Sequence, residues 1–312
     1  MTAPPRPKLS AIVIAIAGIV LLLVTAACGA AASSASPPGE PIRVVATTTV
    51  LGDLVAQAGG TAVSVTSLVP KGGEVHTFDP TPSDLRAVSD ADLIVMNGLG
   101  LDHWLDKVIS DSGVGAPVVR VAEDLDGVPY LKGEEEGEAS NPHLWLNVKY
   151  AIKYVERIRD GLVTLDPARA DAIGASSAAY VGKLETLDAW VMERIGSIPP
   201  ENRVIVSFHE AFPYFAEAYG LTIVGTIVDA PGQDPSAGEI ASLVDAIRES
   251  GAKAVFGEVQ FSPELVETVA QEAGVVVESD LYNDSLGDPP VDSYEGLIRW
   301  DVDKVVAALT AR

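Results

Sequence analysis

Twice along the chain, short runs rich in Val, Ile and Thr alternate with helical stretches, and this recurrence limits the fold more than any other feature. In the first half the runs "IRVVATT", "VSVTSLV", "DLIVMNG" and "PVVRVA" predict strands. They are separated by "VLGDLVAQAGG", "TPSDLRAVSD" and "LDHWLDKVIS", which predict helices. After residue 200 the pattern returns with "NRVIVSF", "TIVG", "KAVFGE" and "VVVESD", again with helical stretches between them and a closing helix over 292–311. Strands joined through helices require crossover connections, so each half predicts a mostly parallel sheet flanked by helices. Between the halves lies a helical region: one helix over 147–165, then 167–198, with Asp166 at the N-cap and Pro167 at the first helical position. If unbroken, 167–198 would span roughly 48 Å at about 1.5 Å per residue. Gly174 and Gly182 each weaken it by about 1 kcal/mol relative to Ala and predict a bend. The expected fold is therefore α/β, with two lobes joined by a long rigid helix.

With 312 residues and 47% hydrophobic content, the chain can bury the core of two ordinary domains. The expected division is an N-terminal lobe at 42–147, a linking helical region at 148–198 and a C-terminal lobe at 199–312. Residues 1–27 read as a signal peptide: Arg6 and Lys8 precede an apolar run from Leu9 to Val24, too short for an ordinary spanning helix. Residues 28–41 have the small, polar, Pro-rich composition of a flexible tether. Cys28 is the only cysteine, so no disulfide forms within the chain. Its place after the apolar run resembles the lipobox of bacterial lipoproteins, although Thr25 stands where that motif usually has Leu. The resemblance implies lipidation at Cys28 and a folded part held outside the cytoplasm at the cell membrane.

A net charge of −23 becomes two units more negative without Arg6 and Lys8. Such a surface excludes nucleic acid as a partner, because phosphate binding needs clustered Lys and Arg. Cations are favoured, weakly and without selectivity.

The four histidines narrow the chemistry. His76 follows the second strand, inside the Gly- and Pro-punctuated "KGGEVHTFDP"; the helix after it starts with Thr81, Pro82 and Asp84, a capping-box pattern. His209 stands at the end of "RVIVSF", and Asp284 lies in "LYNDSLG" after the last strand. These three positions lie beyond the carboxyl ends of strands, where open α/β sheets place their ligands. His143, in "NPHLWLN", precedes the linking helices, so each half contributes two candidates. His103, in an amphipathic helix beside Trp104, reads as structural. A zinc-dependent hydrolase is the competing class, but "HEAFP" puts Pro213 where the H-E-x-x-H motif needs its second histidine. No P-loop, G-x-S-x-G elbow or dinucleotide fingerprint is present.

The ordered set "HTFDPTPSDL", "NGLGLDHWLDK", "NPHLWLN", "SFHEAFPYFAEAYGL" and "LYNDSLG" resembles the metal-receptor lipoproteins of zinc and manganese ABC importers, the cluster A-I periplasmic-binding proteins. The resemblance covers 42–312. It implies that His76, His143, His209 and Asp284 form the coordination shell of a transported divalent metal, in a site between lobes that move little. It also implies delivery to a membrane permease driven by a separate ATPase, and no catalysis. Glu210 and Glu258 are the candidates for orienting imidazoles from behind, and a monomer is expected. Three imidazoles and one carboxylate favour Zn2+ over Mn2+, with iron behind.

Two departures stand out. The acidic stretch at 134–138 lacks the histidines that zinc members often carry there. Asn141 and Asn147 replace aspartates that would orient imidazoles, which predicts lower affinity or altered selectivity. An adhesin-type role on the outer face is a third class that the sequence leaves open.

Overall fold

The computed structural model describes residues 1–2, 39–133 and 140–311. The signal peptide, Cys28, most of the tether and the acidic 134–138 stretch lie outside these residues. The first half builds β1 (Ile42–Ala46), α1 (Thr49–Gly59), β2 (Val63–Ser67), α2 (Pro82–Asp90), β3 (Leu93–Met96), α3 (Trp104–Ser112) and β4 (Val118–Arg120). All four strands are parallel, in the order β2-β1-β3-β4, with Val44 opposite Val65 on one side and Leu93 on the other. The central strand β3, "LIVM", is buried along its whole length, as a parallel strand covered on both faces must be.

In the second half, β5 (Val204–Ser207) pairs in parallel with β6 (Thr222–Thr226), and β7 (Ala254–Glu258) with β8 (Val276–Leu281). The inner strands β5 and β7 pack side by side, so the single expected sheet is laid down as two parallel pairs. A register shift interrupts each pair, between Ile205 and Val206 and between Phe256 and Glu258. Helices α6 (Pro213–Tyr219), α7 (Ala237–Ser250), α8 (Pro263–Ala273) and α9 (Tyr294–Thr310) complete this half.

Two helices connect the halves. α4 (Val148–Leu165) begins at Asn147, whose Oδ1 accepts from Lys149 N at 3.0 Å. The expected helix over 167–198 is divided: Pro167–Arg169 form a 3-10 turn capped by Asp166, and α5 runs from Ala170 to Gly196. At 27 residues, α5 is about 40 Å long. Gly174 and Gly182 lie inside it without ending it, because α5 is held by packing. Its buried positions Ile173, Ser177, Tyr180, Leu184, Leu187, Val191 and Ile195 recur every three or four residues and form one stripe. That stripe meets α1, α4, α6 and α9, so elements from both halves share one hydrophobic core. Smaller apolar clusters fill the space around α7 and α8 and between α2, α3 and the first sheet. The described residues from Gly39 onward form one compact unit.

Candidate metal centre

Each of the four candidate ligands stands in a loop or turn beside a regular element. The loop after β2 carries His76; Gly73 N turns back to Pro70 O at 2.9 Å. Trp104 Nε1 donates to Val75 O at 3.1 Å and the Trp104 ring meets Phe78, tying the loop to α3. Asp84 Oδ2 accepts from Thr81 N at 2.7 Å and so starts α2 immediately beyond the loop. Behind the loop, Glu74 Oε1 accepts from His76 N at 2.7 Å.

His143 precedes a 3-10 turn at Leu144–Leu146. Its segment is held by a buried network: Asn97 Nδ2 donates to Pro142 O at 3.1 Å, and Tyr154 Oη donates to Asn97 Oδ1 at 2.8 Å. Asp102 accepts from Asn97 N, Gly98 N and Thr47 Oγ1, and burial raises its carboxyl to about 6. On the far side, Trp145 Nε1 donates to Asn283 O at 2.9 Å, and Tyr294 Oη donates to Trp145 O at 2.6 Å. These bonds join the His143 segment to the Asp284 loop. Gly72 N, donating to Leu286 O at 3.2 Å, joins the His76 loop to it as well.

The structure brings all four side chains together. One donor atom from each of His76, His143, His209 and Asp284 lies within 4.8 Å of the others. The Nε2 atoms of His76 and His143 are 3.4 Å apart, as are those of His143 and His209. Asp284 Oδ2 lies 3.7 Å from His76 Nε2, and Oδ1 lies 3.6 Å from His143 Nε2. Four donors bound tetrahedrally at about 2.0–2.2 Å stand roughly 3.3–3.6 Å apart, so the spacing suits a small divalent ion. The side chain of His76 keeps 6% of its surface exposed, against 1% or less for His143, His209 and Asp284, so solvent reaches the cluster from the His76 side.

What lies behind the donors sets their protonation. His209 Nδ1 meets Glu258 Oε2 at 2.6 Å, which puts the proton on Nδ1 and leaves Nε2 turned toward the other donors. Burial, reinforced by the neighbouring His209 and His76 imidazoles, holds His143 well below the usual imidazole range. It is therefore neutral at physiological pH, with its lone pair available. Asn141 Oδ1 accepts from His143 N at 3.0 Å and faces His143 Nδ1 at 3.2 Å. Asn141 Nδ2 donates to Glu210 O at 2.7 Å.

Asn141 supports the imidazole through its amide oxygen, so loss of a carboxylate there does not leave His143 unsupported. Asn147 serves as the cap of α4. The backbone carbonyl of Glu210 accepts from Asn141 Nδ2, and the four clustered donors are His76, His143, His209 and Asp284. His103 is exposed just before α3, its ring bonded to Gly100 O at 2.9 Å, and stands apart from the cluster.

Two residues escape sequence reasoning. Asn283 Nδ2 donates to Glu258 Oε2 at 3.0 Å, while its Oδ1 accepts from Asp284 N at 2.7 Å and from Gln260 Nε2. Gln260 Nε2 also reaches Asp284 Oδ2 at 3.3 Å. The only sequence signal for Asn283 is its place beside Asp284, and none marks Gln260. Phe261 covers the far side, stacked on Phe208 at 4.3 Å and edge-on to His209 at 5.7 Å.

Residues 44–308 match the family described as "ZnuA: Zinc-uptake complex component A periplasmic". The chain belongs to this family. Among relatives of the ZnuA-family chain is the manganese-binding lipoprotein MntA of Halalkalibacterium halodurans, 36% identical over 87% of this chain and 90% of that protein. The iron-binding protein YfeA of Yersinia pestis is 34% identical over 84% and 85%. The periplasmic zinc-binding protein TroA of Treponema pallidum superposes with a TM-score of 0.80 at 29% identity, covering 87% of this chain and all of that one. A manganese-bound periplasmic metal-binding protein of Candidatus Liberibacter asiaticus gives 0.77 at 27%, covering 86% and 99%. The fold is thus the two-lobe α/β fold of TroA. The chain is a substrate-binding protein of the metal ABC-transporter family, a solute receptor and not an enzyme. No helix among the described residues is long and apolar enough to cross a membrane.

Proposed function

We propose that this ZnuA-family protein captures a single divalent transition metal through His76, His143, His209 and Asp284, and that Zn2+ is its cargo in preference to Mn2+. The observation that carries this reading is the convergence of four donors within 4.8 Å, three of them fully buried. Asp284 and Glu258 are buried carboxylates whose neighbours at the site are imidazoles and amides. A divalent cation held among the four donors offsets the cost of burying those carboxylates. Three nitrogens and one carboxylate suit Zn2+; Mn2+ prefers oxygen-rich shells of higher coordination number. The relatives carry manganese, iron and zinc in their names, so the donor set supports the choice of metal here.

In the same reading, lipidated Cys28 anchors the protein outside the cell membrane, with 42–147 and 199–312 as lobes on either side of 148–198. A monomer hands the ion to a permease powered by a separate ATPase. The deciding experiment is native mass spectrometry of the mature chain, stripped with chelator and equilibrated with equal buffered Zn2+ and Mn2+, beside His209→Ala. One retained zinc per chain, absent in the variant, is expected. Retained manganese alone would reverse the metal choice, and no retained metal would end the receptor reading.

A further inference from the structure

We infer that Gln260 is a specificity-determining residue: its amide engages Asp284 Oδ2, restricts Asp284 to binding metal through Oδ1, and so favours a four-coordinate ion. The inference rests on the metal-receptor reading above. Its starting point is the amide's orientation. Gln260 Nε2 faces two oxygens, Asn283 Oδ1 and, at 3.3 Å, Asp284 Oδ2. The orientation of Asn283 is itself settled. Its Nδ2 donates to the Glu258 carboxylate and its Oδ1 accepts from the Asp284 backbone N–H. Turning the Gln260 amide over would set its oxygen against two acceptors, so the NH2 group must face them.

The two Asp284 oxygens are therefore unequal. Both lie near the imidazoles, Oδ1 at 3.6 Å from His143 Nε2 and Oδ2 at 3.7 Å from His76 Nε2, so distance alone would let both join the shell. A hydrogen bond from Gln260 draws electron density and one lone pair of Oδ2 away from an ion. Oδ1 then completes a shell of three nitrogens and one oxygen, which suits Zn2+. A larger ion that prefers six ligands needs both oxygens and must compete with the amide for the second. The glutamine sits just past the end of β7, with Asn283 and Asp284 just past β8, and the two pair in parallel. Adjacent strand ends thus hold the amide against the carboxylate, which lets an outer partner influence the metal.

The test uses the mature full chain, Gln260→Leu and Gln260→Met, each loaded with Co2+, Zn2+ or Mn2+ alone. Wild type should show the intense visible absorption of tetrahedral Co2+. Both variants should bind one ion per chain with that absorption reduced several-fold, as the second oxygen joins the shell. The ratio of the Mn2+ to the Zn2+ dissociation constant should fall by about tenfold or more, the scale on which outer partners act at metal sites. Unchanged absorption and an unchanged ratio in folded, metal-binding variants would overturn the inference. X-ray absorption of the zinc-loaded wild type provides an arm that needs no variant: five nearest scatterers would overturn it, and four would support it. Failure of wild type to bind any of the three ions would instead remove the receptor reading, and this inference with it.

Discussion

His209 is the residue on which the site depends most, because its ring nitrogen meets the buried Glu258 carboxylate directly, at 2.6 Å. Glu258→Gln keeps an acceptor for His209 Nδ1–H and removes the charge. It is expected to weaken metal affinity about 10- to 100-fold without unfolding the chain, measured by competition with a chelating dye. An unchanged affinity would show that Glu258 only fills space. Asp102 supports the His143 segment from further back, and its carboxyl is raised to about 6, principally by burial. A raised folded value means that the native state holds the proton more tightly than the unfolded chain does. The stabilisation is therefore present below pH about 4 and is lost as pH rises through about 6. The unfolding free energy of the metal-free wild type, relative to Asp102→Asn, should fall by roughly 2 kcal/mol between pH 4 and pH 7. Denaturant titrations at four pH values would read this, and a flat difference would contradict it.

At the scale of elements, α5 is a helix made by its neighbours. Its buried stripe packs against helices of both halves, whereas Gly174 and Gly182 contribute nothing to its propensity. Leu187 is fully buried in that stripe, and Leu187→Ala is expected to cost about 2–5 kcal/mol. Gly182 is exposed, and a Cβ built there meets no atom within 4 Å. Gly182→Ala should therefore stabilise the protein by about 0.5–1 kcal/mol, by removing backbone freedom from the unfolded chain. Thermal denaturation of both variants in the absence of metal checks the pair of signs; destabilisation by Gly182→Ala would mean that the glycine serves a contact not formed in the resting fold.

For the whole molecule, the shared core is expected to hold the donors together with or without metal. Hydrogen bonds from Trp145, Tyr294 and Gly72 tie the His76, His143 and Asp284 segments to one another. Binding should then act mainly as mass action on stability. Free ion at 100 times its dissociation constant should add about 2.7 kcal/mol to unfolding, and excess chelator should remove it. Small-angle scattering is expected to show nearly the same radius of gyration with and without metal. A compaction comparable to closure of a hinged receptor would contradict the view that the linking helices and common core hold the site preformed.

Alternation of apolar β-rich runs with helices was enough to specify a two-lobed α/β chain, because side-chain period and chain punctuation are local properties. The set His76, His143, His209 and Asp284 was legible through the five ordered motifs that resemble the metal-receptor family; strand ends and loops alone marked them only as candidates. The helix over 167–198 was legible in existence and not in extent, since the 3-10 turn at Pro167–Arg169 and the continuity through two glycines depend on what packs against α5. Gln260 and Asn283 became visible only when β7 and β8 lay side by side and brought 258–260 against 283–284. The same holds for Asn141, whose amide oxygen supports His143, and for Asn147, which caps a helix. Residue types along the chain determined which donors this protein has. Tertiary structure decided their spacing, tautomers and outer partners, because these depend on atoms that lie far apart in sequence and meet only in the folded core.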